Sequence, residues 1–401
     1  METGIMPRQL IIGYLVWIMV LCCFAGSVAA TPASNDQPTY GIETERFVSA
    51  VLGEQRTVHV QLPKSYALQP DKKYPVLYRL DGQENLPLIN SVLERLQEAN
   101  AAPEVIIVAI ENTDRLRDMY PTVNREPQGP VGVGGGAAKF LTFIKTELMP
   151  RIEQKYRTHN FKLIAGASAG GAFVLYALQA EPDLFQAHIA YSPAVWWDYG
   201  ATAKTTQAFF KKTKVLSNYL YLNIGEEDGF MRERYDEMLK AISASKPQGF
   251  RLVSDEFAKV SHGLTSVAGI FNAYHQLFLP MQMPFRAYNG DVASITAYYD
   301  QLSQQYGEQT AAPEWVIREL GYHFVNSGNL SEAIKLFQFG IRQYPKTPDA
   351  YNGLAYGYEQ NKQYKESLQQ VNKALALSKA GYEGYEVYAA RKARLQELLA
   401  K

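Results

Sequence analysis

The feature that most limits how this chain can fold is an alternation of short apolar runs with helical patterns between about Gln55 and Phe257. Several runs are almost continuously apolar, as expected for strands that helices bury on both faces. Seven strands are predicted, at Thr57–Leu62, Pro75–Asp81, Val105–Ile110, Lys162–Gly166, His188–Ser192, Leu220–Ile224 and Arg251–Phe257. Between them, Lys139–Tyr156 and Ala169–Gln179 have helical spacing. The alternation predicts an α/β fold with a mostly parallel sheet covered on both faces.

The chain changes character after Met283, where helical patterns replace the strands. The same residue classes recur 34 residues apart, as at Leu320-Gly321 and Leu354-Ala355, which is the period of tetratricopeptide-type repeats. Flanking or capping helices are predicted at Ile295–Tyr306 and Tyr385–Leu399. Two copies are few for a free-standing solenoid, so we expect this module to pack on the sheet domain.

The first 30 residues have the three parts of a secretory signal peptide. Arg8 precedes the apolar run Leu10–Ala25, and small residues follow as far as Ala30. The run is short for a spanning helix, so cleavage after Ala30 is favoured over an uncleaved membrane anchor. A lipoprotein site is less favoured, because no small residue directly precedes Cys22. We therefore predict a periplasmic or secreted protein with no stable membrane insertion after cleavage.

Cysteine usage and charge exclude several classes of site. Both cysteines, Cys22 and Cys23, lie in the predicted signal peptide. The mature chain would therefore have no disulfide framework, no cysteine-ligated metal and no cysteine nucleophile. Basic and acidic residues balance at 40 each, which gives no electrostatic reason to expect nucleic acid or an anionic membrane as a partner.

The strongest local motif is Gly166-Ala167-Ser168-Ala169-Gly170. An apolar strand runs into it and an alanine-rich helix runs out of it, which is the context of a sharp turn that lifts a serine Oγ above a sheet. Glycine at the flanking positions avoids the clash that a Cβ would make in such a turn. A Gly/Ser-rich packing turn without chemistry is the alternative. The context favours Ser168 as a nucleophile.

A serine hydroxyl needs a base to become an effective nucleophile. His262 lies in the loop Val260–Gly263, directly after a late strand. From there it can reach over the carboxyl edge of a parallel sheet, where ligands usually bind. The remaining histidines fall in predicted strands or helices, or on the far side of the sheet; they are His59, His159, His188, His275 and His323. His262 is therefore the predicted general base.

The acid that orients the base should lie between the serine and the histidine in chain order. The loop Ile224–Gly229 follows a strand and supplies three carboxylates, Glu226, Glu227 and Asp228. One of them would accept the Nδ1 proton of His262 and fix its tautomer. Glu227 is preferred, Asp228 is second and Glu226 third. The alternative is a solvated acidic loop beside a Ser-His pair.

An oxyanion hole requires two backbone N–H groups aimed at the developing negative charge. Ala169, directly after the nucleophile, is predicted to supply one of them. The second is expected from the loop that ends an earlier strand, from either Gly82 or Gln83. Asp81 would then brace this loop and take no part in the reaction.

Three further features could shape a substrate site. Trp196 and Trp197 follow a strand and could line an acyl or aromatic pocket, or could plug an edge of the core. Arg115 and Arg117 could bind an anionic group, with structural salt bridges as the alternative. The glycine-rich segment Asn124–Gly136 is either a mobile loop over the site or an ordinary surface loop.

Residues from about Gln55 to Met283 resemble the putative esterase family that includes esterase D and the trilactone siderophore esterases. The pieces that carry the resemblance are Leu80-Asp81-Gly82, Ala109-Ile110 with Arg115 and Arg117 downstream, the motif around Ser168, Ser192-Pro193 with Trp196-Trp197, Gly225-Glu226-Glu227, and Ser261-His262-Gly263. The resemblance implies an α/β-hydrolase fold and an acyl-enzyme mechanism. It implies that Ser168 is the nucleophile and His262 the base, and it supports Glu227.

These inferences define three expected segments: a signal peptide over 1–30, a catalytic domain over 31–285 and tetratricopeptide-like repeats over 290–401. The expected activity is hydrolysis of small or siderophore-type carboxylic esters in the cell envelope, with a small-molecule ester as partner and no cofactor or metal. Two alternatives stay open. One is an acyltransferase on the same triad, and the other is a non-catalytic scaffold that binds a protein through its repeats.

Overall fold

The computed structural model describes residues 41–400, except 68–69, 83, 85, 307–310, 379–380 and 383. The predicted signal peptide and Gln83 therefore lie outside the described residues. Among the residues that are described, no helix is both long and apolar enough to cross a membrane.

Eight strands form one sheet in the order β1-β2-β4-β3-β5-β6-β7-β8. The strands are β1 (Ile42–Ser49), β2 (Glu54–Gln61), β3 (Tyr74–Arg79), β4 (Ile106–Ile110), β5 (Thr158–Ala167), β6 (Ala187–Tyr191), β7 (Tyr219–Ile224) and β8 (Arg251–Glu256). β2 pairs antiparallel with β1 and β4, and the other neighbours are parallel. The predicted α/β fold with a mostly parallel sheet is confirmed, and β1 is an additional edge strand that the apolar pattern did not predict.

Helices cover both faces of this sheet. They are α1 (Leu86–Glu98), α2 (Arg115–Met119), α3 (Ala137–Phe143), α4 (Met149–Lys155), α5 (Ala169–Ala180), α6 (Trp197–Lys212), α7 (Gly229–Ser245) and α8 (Thr265–Phe278). A π-helical segment, Ile144–Leu148, joins α3 to α4, so the single helix predicted over Lys139–Tyr156 forms as three continuous parts. The interior faces of β5 and α5 contribute Ile164, Phe173 and Leu178, none of which is exposed.

Six more helices follow the sheet domain: α9 (Ala293–Tyr306), α10 (Glu314–Asn326), α11 (Leu330–Gln343), α12 (Pro348–Gln360), α13 (Tyr364–Leu377) and α14 (Tyr385–Ala400). α10 and α12 begin at residues 314 and 348, and α11 and α13 begin at 330 and 364. Both intervals are 34 residues, which matches the repeat period read from the sequence. The assignment of these helices to the tetratricopeptide class stays a prediction.

One apolar cluster joins the sheet domain to the first of these helices. It runs from Ile189 on β6 through Leu277 on α8 to Tyr299 on α9, and it includes Leu320 on α10 and Leu336 on α11. The expectation that the helical module packs on the sheet domain is therefore correct. Residues before 285 and residues after 290 both belong to this cluster. The division into 31–285 and 290–401 therefore stays a proposal.

Candidate active site

Ser168 lies in a sharp turn between β5 and α5, with φ 57° and ψ −117°. A positive φ is uncommon for any residue except glycine and is maintained only where the surroundings enforce it. The turn is held on both sides by the backbone after β6. The Ser168 N–H donates to the Tyr191 carbonyl at 2.9 Å, and the Ala194 N–H donates to the Ser168 carbonyl at 2.9 Å.

Two glycines around Ser168, Gly166 and Gly171, are required by close backbone contacts. A Cβ added at Gly166 would lie 2.5 Å from the carbonyl carbon and oxygen of Gly170. A Cβ on Gly171 would lie 2.9 Å from Cα of Pro193. Neither contact can be relieved by turning a side chain. For Gly166 this is the steric reason that the motif suggested, whereas a Cβ on Gly170, the other flanking glycine, would meet the Asp81 Oδ2 at 3.2 Å.

His262 and Glu227 meet at the same edge of the sheet as Ser168. Glu227 follows β7 and His262 follows β8, and both strands run parallel to β5, so their following loops meet at the carboxyl edge. The His262 Nδ1 lies 2.8 Å from the Glu227 Oε1. The Glu227 side chain is 7% exposed and that of His262 is 40% exposed. Of the three carboxylates in the loop, the structure brings Glu227 to the histidine, while Glu226 and Asp228 are exposed.

The Glu227 carboxylate has partners on both oxygens. Its Oε1 also accepts the Ser192 hydroxyl at 2.5 Å, and its Oε2 accepts the Gly225 N–H at 2.5 Å. Burial alone would raise the pKa of Glu227, but the hydrogen bonds from Ser192, His262 and two backbone N–H groups together lower it below the ordinary value. Glu227 is therefore ionised at neutral pH and can accept the imidazole proton.

The prediction for the oxyanion loop requires a correction. The Gly82 N–H donates to the Ile110 carbonyl at 2.7 Å, so it is committed to the backbone and does not fit the predicted role of oxyanion donor. A Cβ on Gly82 would lie 2.4 Å from the carbonyl carbon of Ala109, so this glycine is needed for the close approach of the loop to β4. Gln83, the other candidate, lies outside the described residues.

Ala169 is the first residue of α5. The first N–H groups of a helix have no carbonyl partner within the helix, and they lie at the positive end of its dipole. The Ala169 N–H therefore has the position expected for an oxyanion donor beside Ser168.

Asp81 has the structural role that was expected for it, because its carboxylate braces the loop after β3. Its carboxylate accepts Arg115 Nε at 2.6 Å and Asn112 Nδ2 at 2.6 Å, and Arg115 Nη2 also donates to the Ala167 carbonyl at 3.1 Å. Burial would raise the pKa of Asp81, but Arg115, Asn112 and the charge of Arg79 hold it below its usual range. Arg115 thus links the loop after β3 to Ala167, the residue before Ser168.

Arg117 does not fit its predicted role in substrate binding. Its Nη2 and Nη1 bind the Glu54 carboxylate at 2.6 and 3.1 Å, and its Nε binds Asp118 at 2.8 Å. These ion pairs occupy all three guanidinium nitrogens, so the structural alternative is the correct one.

The paired tryptophans have different environments. Trp197 is 1% exposed, stacks on Tyr120 with ring centroids 3.9 Å apart, and donates its Nε1 proton to the Thr122 carbonyl. Trp197 therefore belongs to the core edge, and its predicted role in substrate binding is wrong. Trp196 is half-buried and packs against Gly129, so it remains available to line a pocket.

The segment Asn124–Gly136 is tied down rather than free. Arg125 binds the buried Asp198 through Nε at 3.0 Å and Nη2 at 3.1 Å, and the Tyr199 N–H donates to Glu126. Asp198 and Tyr199 have φ angles of 48° and 57° at the start of α6. The anchored loop thus stabilises an unusual backbone beside Trp196, which supports the surface-loop interpretation over a mobile lid.

Two residues of the site were not predicted from the sequence. Ser192 and Asn112 each follow a strand and bind a carboxylate of the site. A polar residue at the carboxyl end of a buried strand is a signal that could have identified both. Among the described residues, no group of three or more histidine, cysteine or acidic side chains is arranged to hold a metal ion.

Comparison with known proteins gives a consistent result. A family model described as "Putative esterase" matches residues 49–270. Ferri-bacillibactin esterase BesA of Bacillus subtilis is 30% identical over 244 residues, which cover 55% of this chain and 84% of that protein. A siderophore enterobactin esterase of Emericella nidulans is 29% identical over 194 residues, and the match covers 42% of this chain and 64% of that protein.

Among solved structures, an IroE-like serine hydrolase from Shewanella oneidensis superimposes with a TM-score of 0.67 at 25% identity. The match covers 76% of this chain and 99% of that chain. The sheet with its covering helices is thus shared with a serine hydrolase over nearly the whole of that structure.

Proposed function

This chain belongs to the putative esterase family and is a serine esterase, and we propose that Ser168, His262 and Glu227 form its catalytic triad. The observation that carries the proposal is the 2.8 Å contact between His262 Nδ1 and Glu227 Oε1, at the sheet edge where Ser168 occupies its strained turn. With Nδ1 held by the carboxylate, Nε2 is the ring nitrogen that can take the serine proton.

The proposed reaction is acyl transfer to Ser168 and then to water. Ser168 Oγ attacks the ester carbonyl while His262 takes its proton, and the Ala169 N–H, with Gln83 as the second donor, stabilises the oxyanion. His262 then gives the proton to the leaving alcohol. The same base activates a water molecule that releases the acid and restores Ser168.

Hydrolysis of p-nitrophenyl acetate and butyrate tests the triad. We expect the full chain to be active and Ser168→Ala and His262→Ala each to lose about 10³-fold or more in kcat. Arg117→Gln is the matched control, because that residue carries a charge near the site without touching it, and it should retain most of the activity. An inactive parent whose Ser168 also fails to react with a fluorophosphonate would refute the triad.

We further propose siderophore-type esters as the substrate class, with a location in the cell envelope. Support comes from the relatives named for bacillibactin and enterobactin and from the signal-peptide pattern over residues 1–30. Hydrolysis of a ferric catecholate trilactone at a kcat/KM well above that for simple esters would support the substrate. An N-terminus at Thr31 in the periplasmic or secreted fraction would support the location.

The two alternative functions predict different outcomes in the same assays. An acyltransferase would pass the acyl group to an added alcohol faster than to water. A scaffold that acts through its helical repeats would bind its protein partner equally well after Ser168→Ala, and that variant would leave the phenotype unchanged.

A further inference from the structure

Ser192 binds the same carboxylate oxygen that His262 uses. Its Oγ donates to Glu227 Oε1 at 2.5 Å, and His262 Nδ1 lies 2.8 Å from that atom. We propose that Ser192 is a fourth member of the catalytic machinery, a positioning residue that fixes Glu227 and joins it to the nucleophile turn. The proposal rests on the triad proposed above.

The place of Ser192 in the sheet makes it a rigid support. It follows β6 directly and is fully buried. Its N–H donates to the Asn223 side chain at 2.9 Å on the neighbouring strand β7. Glu227 and the 40% exposed His262 both lie in loops. Of the two side chains that bind the carboxylate, Ser192 is the one that directly follows a strand.

The same short segment also holds the nucleophile. Tyr191, immediately before Ser192, accepts the Ser168 N–H, and Ala194, two residues after it, donates to the Ser168 carbonyl. The segment Tyr191–Ala194 therefore holds the backbone of Ser168 from two sides and the acid through one hydroxyl. Any movement of this segment would change the position of the nucleophile and of the carboxylate together.

The backbone of Ser192 supports a functional requirement for its side chain. Its φ is 35°, in the left-handed region where glycine is strongly favoured. A serine occupies a position where glycine would relieve backbone strain, and its hydroxyl donates a hydrogen bond to an ionised carboxylate. Strain of this kind collects at functional sites, where the surroundings enforce it.

Loss of the hydroxyl has an electrostatic consequence that packing alone would not have. The Ser192 hydroxyl and the His262 imidazole both bind Glu227 Oε1, so each of them stabilises the negative charge on that oxygen. Without the hydroxyl, the pKa of Glu227 would rise, because the Ser192 hydrogen bond is the largest of the contributions that lower it against burial. A protonated Glu227 cannot accept the imidazole proton or hold the ring in its catalytic tautomer. The acid limb of the pH profile should therefore move to higher pH.

Ser192→Ala and Ser192→Gly form the matched pair that tests this inference. Both remove the hydroxyl, but only glycine relieves the positive φ, so Ser192→Gly should have the higher Tm. In both variants we expect kcat for p-nitrophenyl butyrate to fall about tenfold with KM within about twofold. The acid limb of kcat/KM should rise by about half a pH unit. A pH profile that matches the parent in both variants would overturn the proposal.

A second measurement separates this inference from the triad itself. The downfield proton NMR signal of His262 Nδ1–H, assigned by its loss in His262→Gln, reports the contact with Glu227 whether or not the enzyme turns over. We expect the signal to move or broaden in Ser192→Ala and to stay unchanged in Arg117→Gln. An unchanged signal in Ser192→Ala would refute the role of Ser192, whereas an inactive parent would refute the triad.

Discussion

Three residues at the carboxyl edge of the sheet have a strained backbone conformation. Asp81, Ser168 and Ser192 have φ angles of 55°, 57° and 35°, and each such conformation costs of the order of 1–3 kcal/mol. The three residues follow β3, β5 and β6, which are neighbours in the sheet. Hydrogen bonds from adjacent segments keep each of them in place, so the site is preorganised before a substrate binds.

Two neighbouring arginines on α2 allow a comparison at this scale. Arg115 binds Asp81 and the Ala167 carbonyl, whereas Arg117 binds Glu54 and Asp118. We expect Arg115→Gln to lower kcat about tenfold, because the loop after β3 and the turn that carries Ser168, the proposed nucleophile, lose their shared support.

Arg117→Gln should lower stability by about 1 kcal/mol, the value of a partly exposed ion pair, while kcat stays within about twofold. Ester hydrolysis and chemical denaturation of both variants would measure these effects. Equal losses of kcat in the two variants would show that Arg115 has no special connection to the site.

Gly82 and Trp197 show which properties of single residues the sequence could not predict. Chain order placed Gly82 in the right loop, but the direction of its N–H toward Ile110 depends on how closely that loop packs on β4. Trp197 was expected to have the environment of Trp196, yet it is 1% exposed and packs on Tyr120 and against the Thr122 carbonyl. Such directions depend on tertiary contacts that no local pattern contains.

At the scale of elements, the sequence predicted seven of the eight strands, including the edge strand β8 (Arg251–Glu256), and missed the other edge strand, β1. β1 (Ile42–Ser49) has five exposed residues of eight, and Phe47 is its main contact with the core. Edge strands often carry charged side chains, so the sequence of β1 lacks the apolar run by which the others were identified. The π-helical segment between α3 and α4 likewise has no signal in the apolar spacing.

In the C-terminal helices, three glycines of α10 and α12 surround one aromatic ring of α11. The ring of Phe337 on α11 lies against Gly321 of α10 and against Gly353 and Gly357 of α12. A Cβ on Gly321 would lie 2.4 Å from Cε1 of Phe337, and one on Gly353 would lie 2.9 Å from Cδ1. Three glycines thus make room for one buried ring.

Gly321→Ala should therefore lower the free energy of unfolding by about 1–3 kcal/mol through overpacking against Phe337. Gly340→Ala, whose added Cβ would meet only Ile317 at 3.4 Å, is the control and should be neutral or stabilising by up to about 1 kcal/mol. Urea denaturation followed by circular dichroism measures both changes. In a Phe337→Leu background the effect of Gly321→Ala should shrink, and an undiminished effect would contradict the steric cause.

At the scale of the whole molecule, the sheet domain and the inner helices share one core. Leu336 on α11 is fully buried in the cluster that also contains Ile189 and Leu277. Leu395 on α14 is equally buried but belongs to a separate cluster with Val371. The helical region therefore has an inner part that is continuous with the sheet domain and an outer part with a core of its own.

Leu336→Ala should lower the stability of the entire chain by about 2–5 kcal/mol. The unfolding midpoints followed by esterase activity, tryptophan fluorescence and circular dichroism should shift together, as a single cooperative unit requires. Leu395→Ala should cost a similar amount but should release the outer helices in an earlier step that leaves activity intact. An activity midpoint that does not move in Leu336→Ala would contradict the shared core.

Because the outer helices have a core of their own, they form an exchangeable unit. A tandem unit that packs mainly on the unit before it can be added, removed or exchanged in whole lengths of 34 residues, since both intervals between helix pairs have that length. Each added unit would extend the array away from the sheet and leave the distance between His262 and Glu227 unchanged. The length of the helical array and the geometry of the candidate active site can thus be varied independently, by selection or by design.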